Sequence, residues 1–322
     1  MKSVDIVLPV YNEEEGLDGF HASLTSVLDA LSGRYQFGVC YVLDRSTDDS
    51  IGVLKRLADR DPRVTVVHLS TRFGHQMSLV AGIDHSRADA VIMMDCDLQH
   101  PPAVIPRLLE RFEDGFDIVH AIREYDGDTD SFKRWTSNVF YRLQNALSPV
   151  EIQPGSADFR LISRKVARLF QTSIRERSQF LRGLFQWVGF RSTSIGFVSP
   201  PRATGTTKYD LKRLITFSVT GILSFSKIPL RVATLLGFSI STLSLSYGFW
   251  LIGEFFVMGH MPPGYTSLIV MMLFLGGLQL TVLGILGEYL GSVFDEVKQR
   301  PLYIVDEVIT TGAPRWHDVH SV

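Results

Sequence analysis

The sequence predicts an α/β domain on a mostly parallel sheet, followed by an interfacial amphipathic helix and two membrane-spanning helices. Three observations carry that expectation. Short apolar runs alternate with helix-period stretches through the first hundred residues. Two segments of 21 residues near the C-terminus carry no charge. Lys and Arg residues flank that pair of segments and are missing from the loop between them.

The first four strands are expected at Asp5 to Val10, Val39 to Leu43, Val64 to Leu69 and Ala90 to Met94. Runs this short and this apolar are buried on both faces, which is the signature of a parallel sheet covered by helices. The helices are expected at Glu14 to Leu31, Asp48 to Arg60 and Gln76 to His85. In such sheets ligands bind beyond the carboxyl ends of the strands. That directs attention to Tyr11-Asn12-Glu13, to Asp44 and to Asp95 through Gln99.

Further strands are expected at Phe116 to Ala121 and Gly155 to Ile162. Between them, Glu124 to Asp130 is acidic and contains glycine, so it reads as a loop. Ser131 to Leu147 has helical spacing with Phe132, Trp135, Phe140 and Tyr141. Phe180 to Ile195 is rich in aromatic residues and glycine.

Val232 to Ile252 and Thr266 to Leu286 each have the length of about 20 residues that crosses a hydrocarbon core. A buried helical hairpin in a soluble protein is the competing reading. Lys208, Lys212, Arg213, Lys227 and Arg231 precede the first segment, and Lys298 and Arg300 follow the second. The positive-inside rule then puts both termini in the cytoplasm, with the protein multi-pass in the inner or plasma membrane. Tyr209 to Leu230 mixes apolar residues with Lys212, Arg213 and hydroxyls, as a helix in the bilayer interface does. A core helix of the soluble domain fits the same pattern. The expected organisation is a cytoplasmic catalytic domain over 1–208, the interfacial helix over 209–230, the hairpin over 231–290 and a cytoplasmic tail over 291–322.

Lys and Arg number 32 against 34 Asp and Glu, a net charge of −2, so nucleic acid is not an expected partner. Hydrophobic residues make up 45% of the chain and mean hydropathy is +0.13, which excludes a disordered chain. Two cysteines, Cys40 and Cys96, form neither a disulfide framework nor a CxxC site. The start of the chain does not read as a signal peptide, so the first domain is expected to fold in the cytosol.

Pairs of aspartates spaced i, i+2 occur at Asp59/Asp61, Asp95/Asp97, Asp126/Asp128 and Asp128/Asp130, so spacing alone decides little. Position selects Asp95-Cys96-Asp97, directly after an apolar strand. With Gln99 they offer hard oxygen ligands suited to Mg²⁺ or Mn²⁺. No GxxxxGK[ST] or GxGxxG pattern supplies a glycine cradle for phosphate. His68, His75, His85, His100 and His120 read as structural. Arg123, Lys133, Arg134, Arg202 and Lys208 form a basic group that suits two phosphorylated ligands.

Leu8-Pro9-Val10-Tyr11-Asn12-Glu13, Asp95-Cys96-Asp97-Leu98-Gln99-His100-Pro101-Pro102 and Asp158-Phe159-Arg160-Leu161 together resemble inverting GT-A glycosyltransferases of family 2. Gly205-Thr206-Thr207-Lys208-Tyr209, Gly287-Glu288-Tyr289-Leu290-Gly291 and Arg300-Pro301-Leu302-Tyr303 narrow the resemblance to the polyprenyl-phosphate branch. That branch includes dolichol-phosphate mannose synthases and bactoprenol glucosyltransferases. The resemblance implies that Pro9, Tyr11, Glu13 and Asp44 line the nucleotide pocket, with Arg202 and Lys208 closing over the donor diphosphate. It implies a metal site at Asp95, Asp97 and Gln99, and a catalytic set of Asp95, Asp97 and Asp158. Arg123, Lys133 and Arg134 would receive the lipid phosphate.

The implied reaction is metal-dependent transfer of one sugar, glucose from UDP-glucose by preference, to polyprenyl phosphate. GDP-mannose or another UDP-sugar is the alternative donor, and a catalytically silent membrane scaffold is the alternative of another class. A downstream flippase and self-association of the chain are further expectations. Where the family has Asp-Asp-Gly-Ser, this chain has Leu43-Asp44-Arg45-Ser46, which leaves base and sugar preference open. The Gln-x-x-Arg-Trp motif of processive members is absent, since Gly183 follows Gln179-Phe180-Leu181-Arg182. Single transfer is therefore expected.

Overall fold

The computed structural model describes residues 1–124, 156–177, 180–198, 228–258 and 264–311. These form two compact units, one holding the sheet with its helices and the chain from Arg300 onward, the other holding two long helices. The interfacial helix expected over 209–230 lies outside the described residues except for 228–230, as does the helix expected over 131–147.

Among the described residues the sheet has eight strands: β1 (Lys2–Val10), β2 (Tyr35–Leu43), β3 (Val64–Leu69), β4 (Ala90–Met93), β5 (Ile118–Glu124), β6 (Ser156–Ser163), β7 (Ser192–Val198) and β8 (Val305–Thr310). Their spatial order is β7-β5-β6-β4-β1-β2-β3-β8. β4, β1, β2 and β3 run parallel, as their continuous apolar sequences require. β6 enters antiparallel between β4 and β5, with Met93 opposite Arg160. Because β6 is reversed, its first residues lie at the same edge as the carboxyl ends of β4 and β5. That reversal brings Asp158 to the strand ends that carry Asp95 and Arg123.

Helices α1 (Leu17–Leu31), α2 (Ser50–Arg60), α3 (His75–His85), α4 (Ile105–Glu113), α5 (Arg164–Thr172) and α6 (Leu181–Trp187) belong to the same unit. Buried Leu17, Phe20, Leu24 and Leu28 show the i, i+3, i+4 stripe of a helix lying on a sheet. α3 differs, since Ser78 through His85 are all buried and it works as a core helix. It lies so close to β1 that a Cβ on Gly82 would overlap the Val7 side chain. Val7 is β-branched and fully buried, so it has little room to turn away.

Within the expected tail over 291–322, the described residues include a strand of the sheet. Val305–Thr310 is an edge strand, antiparallel to β3, with Val66 opposite Ile309 and Val67 opposite Val308. Just before it, buried Tyr303 donates a hydrogen bond to Asp84 Oδ2 at 2.9 Å. Arg175 Nη1 holds both oxygens of the same carboxylate at 2.7 and 2.8 Å. Asp306 and Glu307 make this strand look solvated in sequence, yet charge on an edge strand is a common protection against unwanted pairing.

In the second unit, α7 (Ile228–Met258) and α8 (Tyr265–Val297) have 31 and 33 residues. They contain apolar stretches at Leu230–Trp250 and Val270–Val297, long enough by length and composition to cross a bilayer. Both helices run past the expected boundaries: Ile228 to Leu230 is the first turn of α7, and α8 continues to Val297.

Gly82→Ala is expected to destabilise the sheet domain by about 1–3 kcal/mol, the usual cost of overpacking a filled core. A thermal melt of the purified protein checks this, and an unchanged midpoint would contradict the close packing of α3 on β1.

Candidate functional site

The loops leaving β1 and β2 are laced together. Asn12 Oδ1 accepts from the Thr47 N–H at 2.8 Å, and its amide donates to Thr47 Oγ1 at 3.1 Å. The Asn12 N–H bonds Ser46 Oγ and the Glu13 N–H bonds Ser50 Oγ, each at 3.1 Å. Asn12 sits at φ +56°, a left-handed conformation that asparagine tolerates better than most side chains. Beside this wall the Arg72 guanidinium lies 4.1 Å from the centre of the Tyr11 ring. Arg45 donates to the Ser70 carbonyl at 3.1 Å, so it braces the loop leaving β3.

Asp44 is buried at the end of β2 and is committed to the backbone. Its two carboxylate oxygens accept the N–H groups of Phe73 and Gly74, both at 2.8 Å. Gly74 has φ +92°, which favours glycine, and it leads directly into α3. The first two residues of α3 then reach two other strand ends. His75 Nε2 lies 2.7 Å from Asp95 Oδ1. The Gln76 amide donates to Asp158 Oδ2 at 3.4 Å, and its oxygen accepts the Leu181 N–H at 3.2 Å.

After β4 the chain turns sharply. The Asp95 N–H donates to His100 Nδ1 at 2.8 Å, and the Gln99 N–H donates to Asp97 Oδ1 at 3.0 Å. Between them Leu98 is at φ +62°, an uncommon conformation for a side chain of this size. His100 stacks on Phe159 with ring centres 5.1 Å apart. Arg123, at the end of β5, donates to Gln99 Oε1 at 3.0 Å.

Burial opposes a charged His75 ring, but the Asp95 carboxylate outweighs it and pushes the ring up to about 8. Burial also works against the Asp95 anion, yet the neighbouring His100 and His75 rings hold it down at about 2. Burial pulls His100 below its ordinary value, in keeping with Nδ1 acting as an acceptor. His75 is therefore the cationic partner of Asp95.

Asp158 is more tightly held. Oδ1 accepts from Arg160 Nη2 at 2.9 Å and Arg182 Nε at 3.1 Å, while Oδ2 accepts Arg182 Nη2 at 2.8 Å. Burial would raise its pKa, but Arg182 and Arg160 hold it well below the usual carboxylate range. A carboxylate so stabilised is a poor proton acceptor and a firm anchor.

Of the residues singled out in the sequence, Asp95, Gln99 and Arg123 come together around the turn after β4, and Asp97 lies in the same turn. Asp158 joins them through Gln76 and α3. Pro9, Tyr11 and Glu13 line the neighbouring β1 wall, where the Pro9 carbonyl lies 3.4 Å from Cys96 Sγ. Lys133, Arg134, Arg202 and Lys208 lie outside the described residues. The sequence reads His75 as structural, marks Arg182 only within Gln179-Phe180-Leu181-Arg182 and does not single out Gln76, because each is a lone polar residue whose partner is distant in the chain.

The two carboxylates and the amide oxygen form an all-oxygen donor set, which fits a hard divalent cation. Among the described residues no group of three His, Cys, Asp or Glu side chains is assembled around a common point.

Residues 5–170 match the family described as glycosyl transferase family 2. The SfII prophage-derived bactoprenol glucosyl transferase of Shigella flexneri is 39% identical over 303 residues, covering 94% of this chain and 97% of its own. A prophage bactoprenol glucosyl transferase homolog of Escherichia coli (strain K12) is 37% identical over 306 residues, covering 95% and 99%. An uncharacterised glycosyltransferase of Synechocystis sp. is 42% identical over 305 residues, covering 95% of each chain.

Buried His120 on β5, opposite Arg160 on β6, supplies a pH signature. Burial and the Arg160 charge bring its pKa down to about 3. The unfolded chain takes up this proton near 6.5 and the folded chain does not, so stability from this group falls as pH drops from 6.5 toward 3. His120→Asn is expected to flatten the acid limb of stability by up to about 1.4 kcal/mol per pH unit. Equal slopes for wild type and variant between pH 6.5 and 4 would contradict the buried neutral ring.

Proposed function

The chain belongs to glycosyl transferase family 2, and from that premise we propose that it transfers one sugar to a polyprenyl phosphate at the cytoplasmic face of a bilayer. The favoured donor is UDP-glucose, on the strength of the bactoprenol glucosyl transferases to which the chain is similar from end to end. The geometric observation that carries the reading is the Arg123–Gln99 hydrogen bond. It ties a cation suited to an acceptor phosphate to the turn that suits a donor diphosphate.

Asp95, Asp97 and Gln99 would hold Mg²⁺ or Mn²⁺. When bound there, the ion supplies Lewis-acid stabilisation for the negative charge gathering on the departing diphosphate. Tyr11, Glu13 and Pro9 line the nucleotide wall, and Asp44 shapes that wall through the loop at Phe73 and Gly74. Arg202 and Lys208 assist at the diphosphate.

The acceptor phosphate, with a second pKa near 6 by analogy with phosphorylated side chains, is largely dianionic at neutral pH. Proton removal is therefore a minor requirement. Arg123, with Arg134 and Lys133, neutralises the acceptor and aims one oxygen at the anomeric carbon. Asp158, fixed by Arg160 and Arg182, orients the acceptor side of the cleft and does not act as the base. Attack opposite the leaving group inverts the anomeric centre.

α7 and α8 anchor the enzyme in the membrane that holds its substrate. Each CH₂ withdrawn from lipid costs about 0.8 kcal/mol, so the enzyme must work at the bilayer surface. The lipid-linked sugar then forms on the cytoplasmic side, where a flippase would take it up.

The test is transfer of label from UDP- and GDP-sugars to polyprenyl phosphate in detergent, with and without Mg²⁺ or Mn²⁺. One donor is expected to give a metal-dependent, solvent-extractable lipid product. Asp97→Ala is expected to lower that rate at least about 100-fold, the scale of losing one electrostatic stabiliser. Folded protein that gives no lipid product from any donor would overturn the reading and favour a silent scaffold.

A further inference from the structure

A second cluster of cations lies at the other edge of the sheet, before β4 begins. There α5 and the residues following α3 line an open pocket of about 340 Å³. Arg87, Arg164 and Arg168 line it, together with the small side chains of Ala88 and Ala167. Arg164 and Arg168 stand one helical turn apart on the same face of α5, so both side chains reach the same space.

The other polar groups at this pocket are already engaged. Asp84 is held by Arg175 Nη1 at 2.7 and 2.8 Å and by the Tyr303 hydroxyl at 2.9 Å. Gln171 donates to the carbonyls of Ile83 and Ser86 at 2.7 and 2.9 Å. The Ser86 hydroxyl donates to Asp5 Oδ2 at 2.5 Å.

Arg164 and Arg168 are less committed. Arg164 has Asp89 at 3.9 Å, with both side chains nearly half exposed. Asp89 already accepts the Ser3 N–H at 2.9 Å and the Ser3 hydroxyl at 3.0 Å. Arg168 makes no ion pair among the described residues. From Ser163 to Arg175 the chain carries Arg164, Lys165, Arg168 and Arg175 and no acidic residue.

We propose that Arg87, Arg164 and Arg168 form an anion site for a phosphate-bearing ligand, separate from the transfer site. Guanidinium groups offer paired N–H donors that match phosphate oxygens, and three of them suit a doubly charged group better than a carboxylate. The small side chains of Ala88 and Ala167 leave room for the group that carries the phosphate. That ligand is either a soluble phosphate compound or the headgroup of an anionic phospholipid.

The experiment uses the full chain with EDTA present, comparing wild type, Arg164→Gln/Arg168→Gln and Arg87→Gln. One arm titrates inorganic pyrophosphate against protein in neutral detergent. The other compares nanodiscs of phosphatidylcholine with nanodiscs containing phosphatidylglycerol, counting retained phospholipid by native mass spectrometry.

Saturable binding in either arm, weakened at least tenfold in the double variant, is the expected result, and the responding arm names the source. Equal binding by wild type and both variants would overturn the proposal, as would no binding by wild type in either arm. Circular dichroism and an unchanged KM for the nucleotide sugar show that the variants fold and keep the transfer site. Should the double variant fail to fold, Arg87→Gln decides by the same criterion.

Discussion

Two hydrogen bonds from the backbone of Phe73 and Gly74 to buried Asp44 set the position of almost everything else in the cleft. They fix the entry into α3, and α3 delivers His75 to the end of β4 and Gln76 to β6 and α6. One short loop thus ties together strand ends that are far apart in sequence. Gly74 permits the turn, and Arg45 braces the same loop from the side.

The same arrangement accounts for how so many charges are tolerated in one place. An isolated carboxylate loses much solvation when buried, and it stays ionised only with hydrogen-bonded cations beside it. Asp158 has two guanidinium groups, and Asp95 has His75. Each carboxylate is thereby fixed in position and kept negative. The cleft presents oriented anions and cations before any ligand arrives, which is the condition for electrostatic stabilisation without reorganisation.

The central strands were legible because parallel strands buried on both faces leave continuous apolar runs, and Val64–Leu69 is as expected to the residue. The turn after β4 was legible from its place behind such a run. β8 was not, since Asp306 and Glu307 interrupt a six-residue edge strand whose partner lies more than 200 positions earlier. The resemblance places Asp44 in the nucleotide pocket; that its carboxylate also holds the backbone of Phe73 and Gly74 is a use that leaves no trace in local sequence. Arg182 was noticed only for the processive motif it fails to complete. Its bidentate grip on Asp158 depends on tertiary structure that spacing does not encode.

In the proposed mechanism Asp158 is a permanent anion that organises the cleft and takes no proton from the acceptor. The carboxyl ¹³C shift of Asp158, followed from pH 7 to pH 4 in selectively labelled full-length protein, tests that claim most directly. A flat shift across the range is the predicted result, because Arg160 and Arg182 hold the group ionised. A titration midpoint between pH 5 and 7 would show a carboxylate poised as a base and would contradict the account.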